Sequence, residues 1–194
     1  MSLNKLLILS LLIIIPSKSL PSLKDLVTSL LIYEEMSNRN RVCNPYVNYN
    51  KYPFIGYGQD CIQNKVQTYE ELKQACSSYK KICTVKKAKE WLSDKIDKSM
   101  SCVQKNNNIK NAYNKATTYR KAILISMAFQ LGCNAFSGYK LFLSYMAVGD
   151  WANAANQITE YAWAKHYSER TKRYSYVIIN NKCNSDFCQV YGWN

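Results

Sequence analysis

Apolar residues recur along this chain in three different rhythms. In residues 22–36, Leu23, Leu26, Val27, Leu30 and Leu31 fall three and four positions apart, which predicts an amphipathic helix with Ser22 as its N-cap. That helix ends in two adjacent carboxylates, Glu34 and Glu35, followed by the polar run Ser37 to Arg41. Between 42 and 61 the rhythm changes. Aromatic and β-branched residues are broken there by Pro45, Pro53, Gly56 and Gly58, the pattern of a small antiparallel sheet with tight turns. Residues 62–83 read as a short helix and then a loop closed by cysteines. Thr84 caps a second helix whose Ala88, Trp91, Leu92, Ile96 and Met100 share one face, and the polar run Gln104 to Lys110 ends it. From Tyr113 to Trp163 the pattern is helical almost throughout. Ala122 to Leu131 is nearly all apolar and so belongs at the centre of a core. Gly132, Gly138 and Gly149 punctuate the latter part of this region, and Asp150 caps a helix running through Trp151, Ala154, Ala155, Ile158 and Trp163.

The order of elements makes this an α+β chain: a helix, a short antiparallel sheet, a long connecting helix and a helical lobe. The expected divisions are an N-terminal lobe with its hairpin over 20–83, a connecting helix over 84–105, and a helical lobe with a C-terminal tail over 106–194. Two lobes with a groove between them suit a long polymeric ligand. Residues 1–19 fall outside this scheme. Lys5, the apolar run Leu6 to Ile15, and the small residues Ser17 and Ser19 form the pattern of a secretory signal peptide, the competing reading being a buried N-terminal helix. The apolar run is short for a membrane span, which takes about 20 residues, so no stable membrane insertion is expected.

Export changes how the eight cysteines are read. An even number in an exported chain implies disulfides. Zinc is the alternative, but no C-x-x-C pair occurs and His166 is the single histidine, so neither a metal nor a cofactor is expected. Local spacing suggests Cys76–Cys83 and Cys183–Cys188, which leaves Cys43–Cys61 and Cys102–Cys133. The net charge is +13, and loss of Lys5 and Lys18 with a leader lowers it by two. A basic exported protein favours an anionic partner: a bacterial wall, a membrane surface or nucleic acid. The basic residues are scattered among Asn and Tyr rather than gathered in a stripe, and no nucleic-acid-binding signature is present, so nucleic acid is not the expected partner.

A collinear set of motifs resembles the phage-type lysozymes, the muramidases of the T-even phage type. It comprises Ile55-Gly56-Tyr57-Gly58, then Phe129-Gln130-Leu131-Gly132, then Gly149-Asp150-Trp151 with Ala154-Ala155, then Trp163, then Glu169 to Arg173. With the helix before the hairpin, the resemblance covers about residues 23 to 175. It implies a lysozyme-like fold and hydrolysis of the β-1,4 bond between N-acetylmuramic acid and N-acetylglucosamine in peptidoglycan. Such cleavage needs one carboxylic acid to protonate the leaving oxygen and, in the inverting mode, a second carboxylate to help water attack from the other face. The resemblance maps the acid to Glu34 or Glu35. Tyr33 directly before Glu34, and Ile32 in register with an apolar family position, favour Glu34, whereas the bland reading makes both solvated helix-end charges. Arg170 matches the arginine that pairs with the acid, or else is a surface residue of the run with Lys172 and Arg173. By the same resemblance Gly58, Asp60, Phe129, Gln130, Tyr139 and Gln157 line the substrate cleft, Phe129 and Tyr139 having core packing as their alternative. His166 is read as a surface residue.

Other positions depart from the family pattern. The aspartate expected nine residues after the acid is Cys43 counted from Glu34 and Asn44 counted from Glu35. The threonine before Ile-Gly-Tyr-Gly is Phe54, and the histidine after the second glycine is Gln59. Asn44 can hold a water but is no base at neutral pH, Cys43 could act only as a free thiolate, and Asp60 is a spare carboxylate. Two functions are therefore expected: a monomeric lysozyme, secreted or lysosomal, used against bacteria in defence or digestion, or a lysozyme-fold protein that binds peptidoglycan or bacterial surfaces without turnover.

Overall fold

The computed structural model describes residues 21–36 and 42–183. The leader of 1–19 lies outside them, as does Cys188. Helix α1 (Leu23–Met36) buries Leu26, Val27, Leu30 and Leu31 along one stripe. A three-stranded antiparallel sheet comes next, with β1 (Tyr46–Val47), β2 (Pro53–Ile55) and β3 (Gln59–Asp60) in the order β1-β2-β3. Tyr46 lies opposite Phe54, and Phe54 opposite Asp60. Gly56 and Gly58 take positive φ, which lets the chain turn between β2 and β3. The long helix α4 (Val85–Lys105), N-capped by the Thr84 side chain on the Lys87 N–H, leads to the second lobe. At the centre of that lobe, α6 (Thr118–Leu131) is buried over nearly its whole middle and packs against α1, α4 and α11 (Ser168–Asn180), the last helix among the described residues. This is the α+β lysozyme-like architecture the sequence implies.

The structure corrects four local expectations. First, residues 62–83 hold two helices, α2 (Tyr69–Ala75) and α3 (Ser77–Ile82), joined at Cys76. Second, the polar run after α4 is only a break. Asn106 gives its N–H to the Cys102 carbonyl and caps α5 (Asn107–Lys115) with its side chain, so one asparagine closes one helix and opens the next. Third, the helix from Asp150 stops earlier: α9 (Trp151–Glu160) and α10 (Ala162–His166) are separated at Tyr161, which is extended. α7 (Cys133–Ser137) and α8 (Lys140–Val148) complete the lobe.

The fourth correction concerns disulfides. Cys102–Cys133 forms as expected, but the other two bridges among the described pairs are Cys43–Cys83 and Cys61–Cys76. Cys76 and Cys83 cannot pair because α3 stands between them. Seven helical steps hold their Cα atoms about 10 Å apart, beyond the roughly 7 Å that a bridge tolerates. Each reaches instead to the sheet lobe, Cys76 to the residue after β3 and Cys83 to the segment before β1. Cys183 is disulfide-bonded as well.

Candidate active site

A groove of about 940 Å³ runs between α1 and the α10–α11 segment on one side and the sheet on the other. Glu34 and Glu35 both reach it, and they differ in every other respect. Glu34 continues the buried stripe of Val27 and Leu30, and its side chain is 2% exposed. Burying a carboxylate this deeply requires partners, and α11 supplies two. Arg170 donates from Nε to Glu34 Oε2 at 2.8 Å and from Nη2 to the Glu34 backbone carbonyl at 2.8 Å. Arg173 donates to Oε1 at 3.1 Å and to Oε2 at 3.0 Å. The two arginines stand three apart on one helix, so their guanidinium groups leave the same face. Burial alone works against the Arg170 charge, but Tyr174, Glu34 and Glu35 together outweigh it and hold the group above its ordinary pKa. The cation also meets the C-terminal end of α1, where the helix dipole favours it.

Glu35 lies one position, about a hundred degrees, around α1. Its side chain is 12% exposed and faces the groove. Gln130 of α6 donates from Nε2 to Oε1 at 2.7 Å, and the Tyr46 hydroxyl of β1 donates to Oε2 at 3.2 Å. Arg170 Nη2 stands 3.8 Å from Oε1. Gly58 closes this corner. A Cβ there would lie 3.2 Å from the Phe129 ring and 3.8 Å from Glu35 Oε2, so the missing side chain keeps the carboxylate accessible.

The opposite wall is neutral, aromatic or cationic. The Tyr46 and Phe54 rings stack across β1 and β2 at 5.8 Å. Lys95 of α4 places Nζ 5.7 Å from the Phe54 ring and 5.1 Å from the Phe129 ring, donates to the Gly58 carbonyl, and pairs with Asp60 at 2.8 Å. At the mouth, Tyr49 stacks on His166 of α10 at 4.2 Å and meets Tyr167 edge-on, so the tip of the sheet touches the helical lobe.

The groove thus brings together Glu34, Glu35, Gly58, Phe129, Gln130 and Arg170. Other candidates lie elsewhere. Cys43 is bridged to Cys83 and has no thiol with which to act. Asn44 is exposed and turned outward, because the bridge and Lys80, which bonds the Cys43 carbonyl at 2.7 Å, tie this segment to the α3–α4 corner. Asp60 does not itself line the groove, but it stands opposite Phe54 in the sheet and pairs with groove-lining Lys95. Tyr139 does not line it either: its ring packs on Tyr161 at 3.8 Å and edge-on to Phe136. Burial, then Tyr49 and Tyr161, push its phenol up to about 12. Gln157 sits on α9, which packs on α8 and α11 away from the groove.

Sequence reasoning missed Tyr46, Arg173, Lys95 and the Tyr49–His166 contact. Arg173 had a signal, its three-residue spacing from Arg170. The others depend on contacts across the groove that no local pattern encodes.

A family model described as phage lysozyme matches residues 40–173. No curated protein matches the chain.

Proposed function

The chain belongs to the phage lysozyme family, whose activity is that of peptidoglycan-cleaving glycoside hydrolases, and from that membership we propose that it is an exported muramidase with Glu35 as its acid. It cleaves the β-1,4 bond between N-acetylmuramic acid and N-acetylglucosamine, in defence against bacteria or in their digestion. The observation that carries this reading is the division of labour between the two neighbouring glutamates. A general acid must come within hydrogen-bond reach of the oxygen it protonates. Both Glu34 oxygens are taken by guanidinium groups inside the protein, whereas Glu35 is oriented from both sides at the groove surface. This reading takes Glu35 over Glu34, which Tyr33 before it and the register of Ile32 favour. Arg170 then acts as a positioning residue, anchored on Glu34 and close to Glu35. Phe129 and the Tyr46–Phe54 pair offer faces on which sugar rings stack, and Gln130 keeps the acid in place.

Export, to the outside or to a lysosomal compartment, is supported by the leader pattern and by bridges that persist only under oxidising conditions. The test is release of soluble fragments from purified peptidoglycan by the oxidised chain. Glu35→Gln is expected to lower the rate by about 10²–10⁴-fold, the usual contribution of a general acid, while keeping the wild-type melting temperature to within a few degrees. Wall binding without any release of fragments by the wild type would instead support a binding protein without turnover.

A further inference from the structure

We propose that the corner between α3 and α4 is a second binding surface, which docks the chain on an anionic phospholipid bilayer. The inference concerns attachment alone and holds whether or not the groove cleaves its substrate.

Basic residues are scattered over most of the chain, but five of the ten residues 80–89 are lysine: Lys80, Lys81, Lys86, Lys87 and Lys89. The segment holds no carboxylate. Lys80 bonds the Cys43 carbonyl and Lys87 pairs with Glu90. Lys81, Lys86 and Lys89 are exposed and have no ion pair among the described residues. Like charges this close repel one another, and an anionic surface relieves that repulsion.

Charge alone fits many polyanions, and two apolar residues narrow the choice. Ile82 ends α3 and Val85 begins α4, on either side of the extended pair Cys83-Thr84. They are 57% and 54% exposed, whereas Leu92 and Ile96 further along α4 are buried. Val85 shares a shallow depression of about 530 Å³ with Lys86, Lys89, Glu90 and Ser93. A water-soluble polyphosphate neutralises lysines but offers nothing to cover Ile82 and Val85. A bilayer does both, because its phosphates meet the ammonium groups while aliphatic side chains enter the boundary between headgroups and acyl chains. The lysine stems can lie along that boundary with their charged heads in water. No described helix is long and apolar enough to cross a membrane, so the attachment is peripheral.

The corner is built to dock as a unit. The Cys43–Cys83 bridge ties the joint between the two helices to the segment before β1, and the Thr84 side chain caps α4. None of residues 80–89 lines the groove, and Val85 stands ten residues, about 15 Å, along α4 from groove-lining Lys95. Docking through this corner therefore does not occupy the groove.

The experiment floats the oxidised chain with vesicles of phosphatidylglycerol and phosphatidylcholine, or of phosphatidylcholine alone, at physiological ionic strength. The wild type should bind the anionic vesicles and not the neutral ones. Each lysine near such a surface strengthens attachment by roughly fivefold, so Lys81→Gln with Lys86→Gln and Lys89→Gln should weaken it by about 100-fold. A matched triple at exposed positions away from the corner, Lys105→Gln with Lys110→Gln and Lys140→Gln, should cost about threefold or less, since charges beyond a Debye length are screened. Ile82→Ser with Val85→Ser leaves the charge unchanged and should weaken binding by about tenfold. All of these side chains are exposed, so each variant should keep the wild-type melting temperature to within a few degrees. Equal losses from the two lysine triples would assign the attraction to net charge and overturn the corner as the site. Full binding by the Ile82 and Val85 variant would make the partner a soluble polyanion and overturn the bilayer. Failure of the wild type to bind anionic vesicles, or equal binding to neutral ones, overturns the proposal outright.

Discussion

The two walls of the groove are built on opposite principles. The helical wall holds buried charge: Glu34 sits among two arginines on elements that are themselves fixed by the core of α1, α6 and α11. The sheet wall has strands of two and three residues and a separate small cluster of Val66, Leu72 and Cys76 beneath them. Strands this short cannot hold a shape by pairing alone. The two bridges that tie this lobe to α2, α3 and the start of α4 supply what the hydrogen bonds do not. One wall is positioned by packing and ion pairing, the other by covalent links, and Glu35 lies where they meet.

On this contrast, Arg170→Met is the most damaging single change. It removes the more buried of the two guanidinium groups on Glu34 and leaves the partly exposed Arg173, and losing one partner of a buried pair costs roughly 3–5 kcal/mol, measurable by denaturant unfolding. Arg173→Met should cost clearly less, and an equal cost for the two would mean that burial does not set the scale. The sheet wall should answer to the bridges instead. Cys43→Ser with Cys83→Ser is expected to lower stability by about 2–4 kcal/mol. Hydrogen exchange should then rise first in β1–β3, with α6 still protected. Gly58→Ala probes the seam: its φ of +91° disfavours any side chain by roughly 1–2 kcal/mol. The added methyl faces Glu35, so activity should fall by more than stability alone explains.

The smallest effect is alkaline. Tyr139 has a folded pKa of about 12 against the ordinary 10, so its contribution is fully present below pH 10 and fades as pH rises to about 12. Tyr139→Phe should flatten the fall of melting temperature over that window.

Legibility in the sequence divides along the same line. The stripe of α1, the face of α4 and the apolar centre of α6 were legible because each buries simple apolar side chains at helical spacing. α11 was not, since two of its buried positions, Arg170 and Thr171, are polar and break the period on which the reading depends. The choice between the glutamates was partly legible. Glu34 lies four after Leu30 and seven after Val27, squarely on the buried stripe, which marks it for an internal ion pair. The preference for Glu34 as the acid came instead from the resemblance, through Tyr33 before it and the register of Ile32. The Cys76–Cys83 pairing failed because nearness in sequence was taken for nearness in space, and a six-residue helix is enough to separate the two.

The clamp on Glu34 joins positions 136 and 139 residues apart in the chain. Contacts that distant in sequence cannot exist until nearly all of the polypeptide has been synthesised, and the loop closure they require makes them slow to form. A nascent or prematurely terminated chain therefore carries both glutamates but neither arginine. The buried ion pair on Glu34 arrives only with α11, so the fold itself works as a check on completeness.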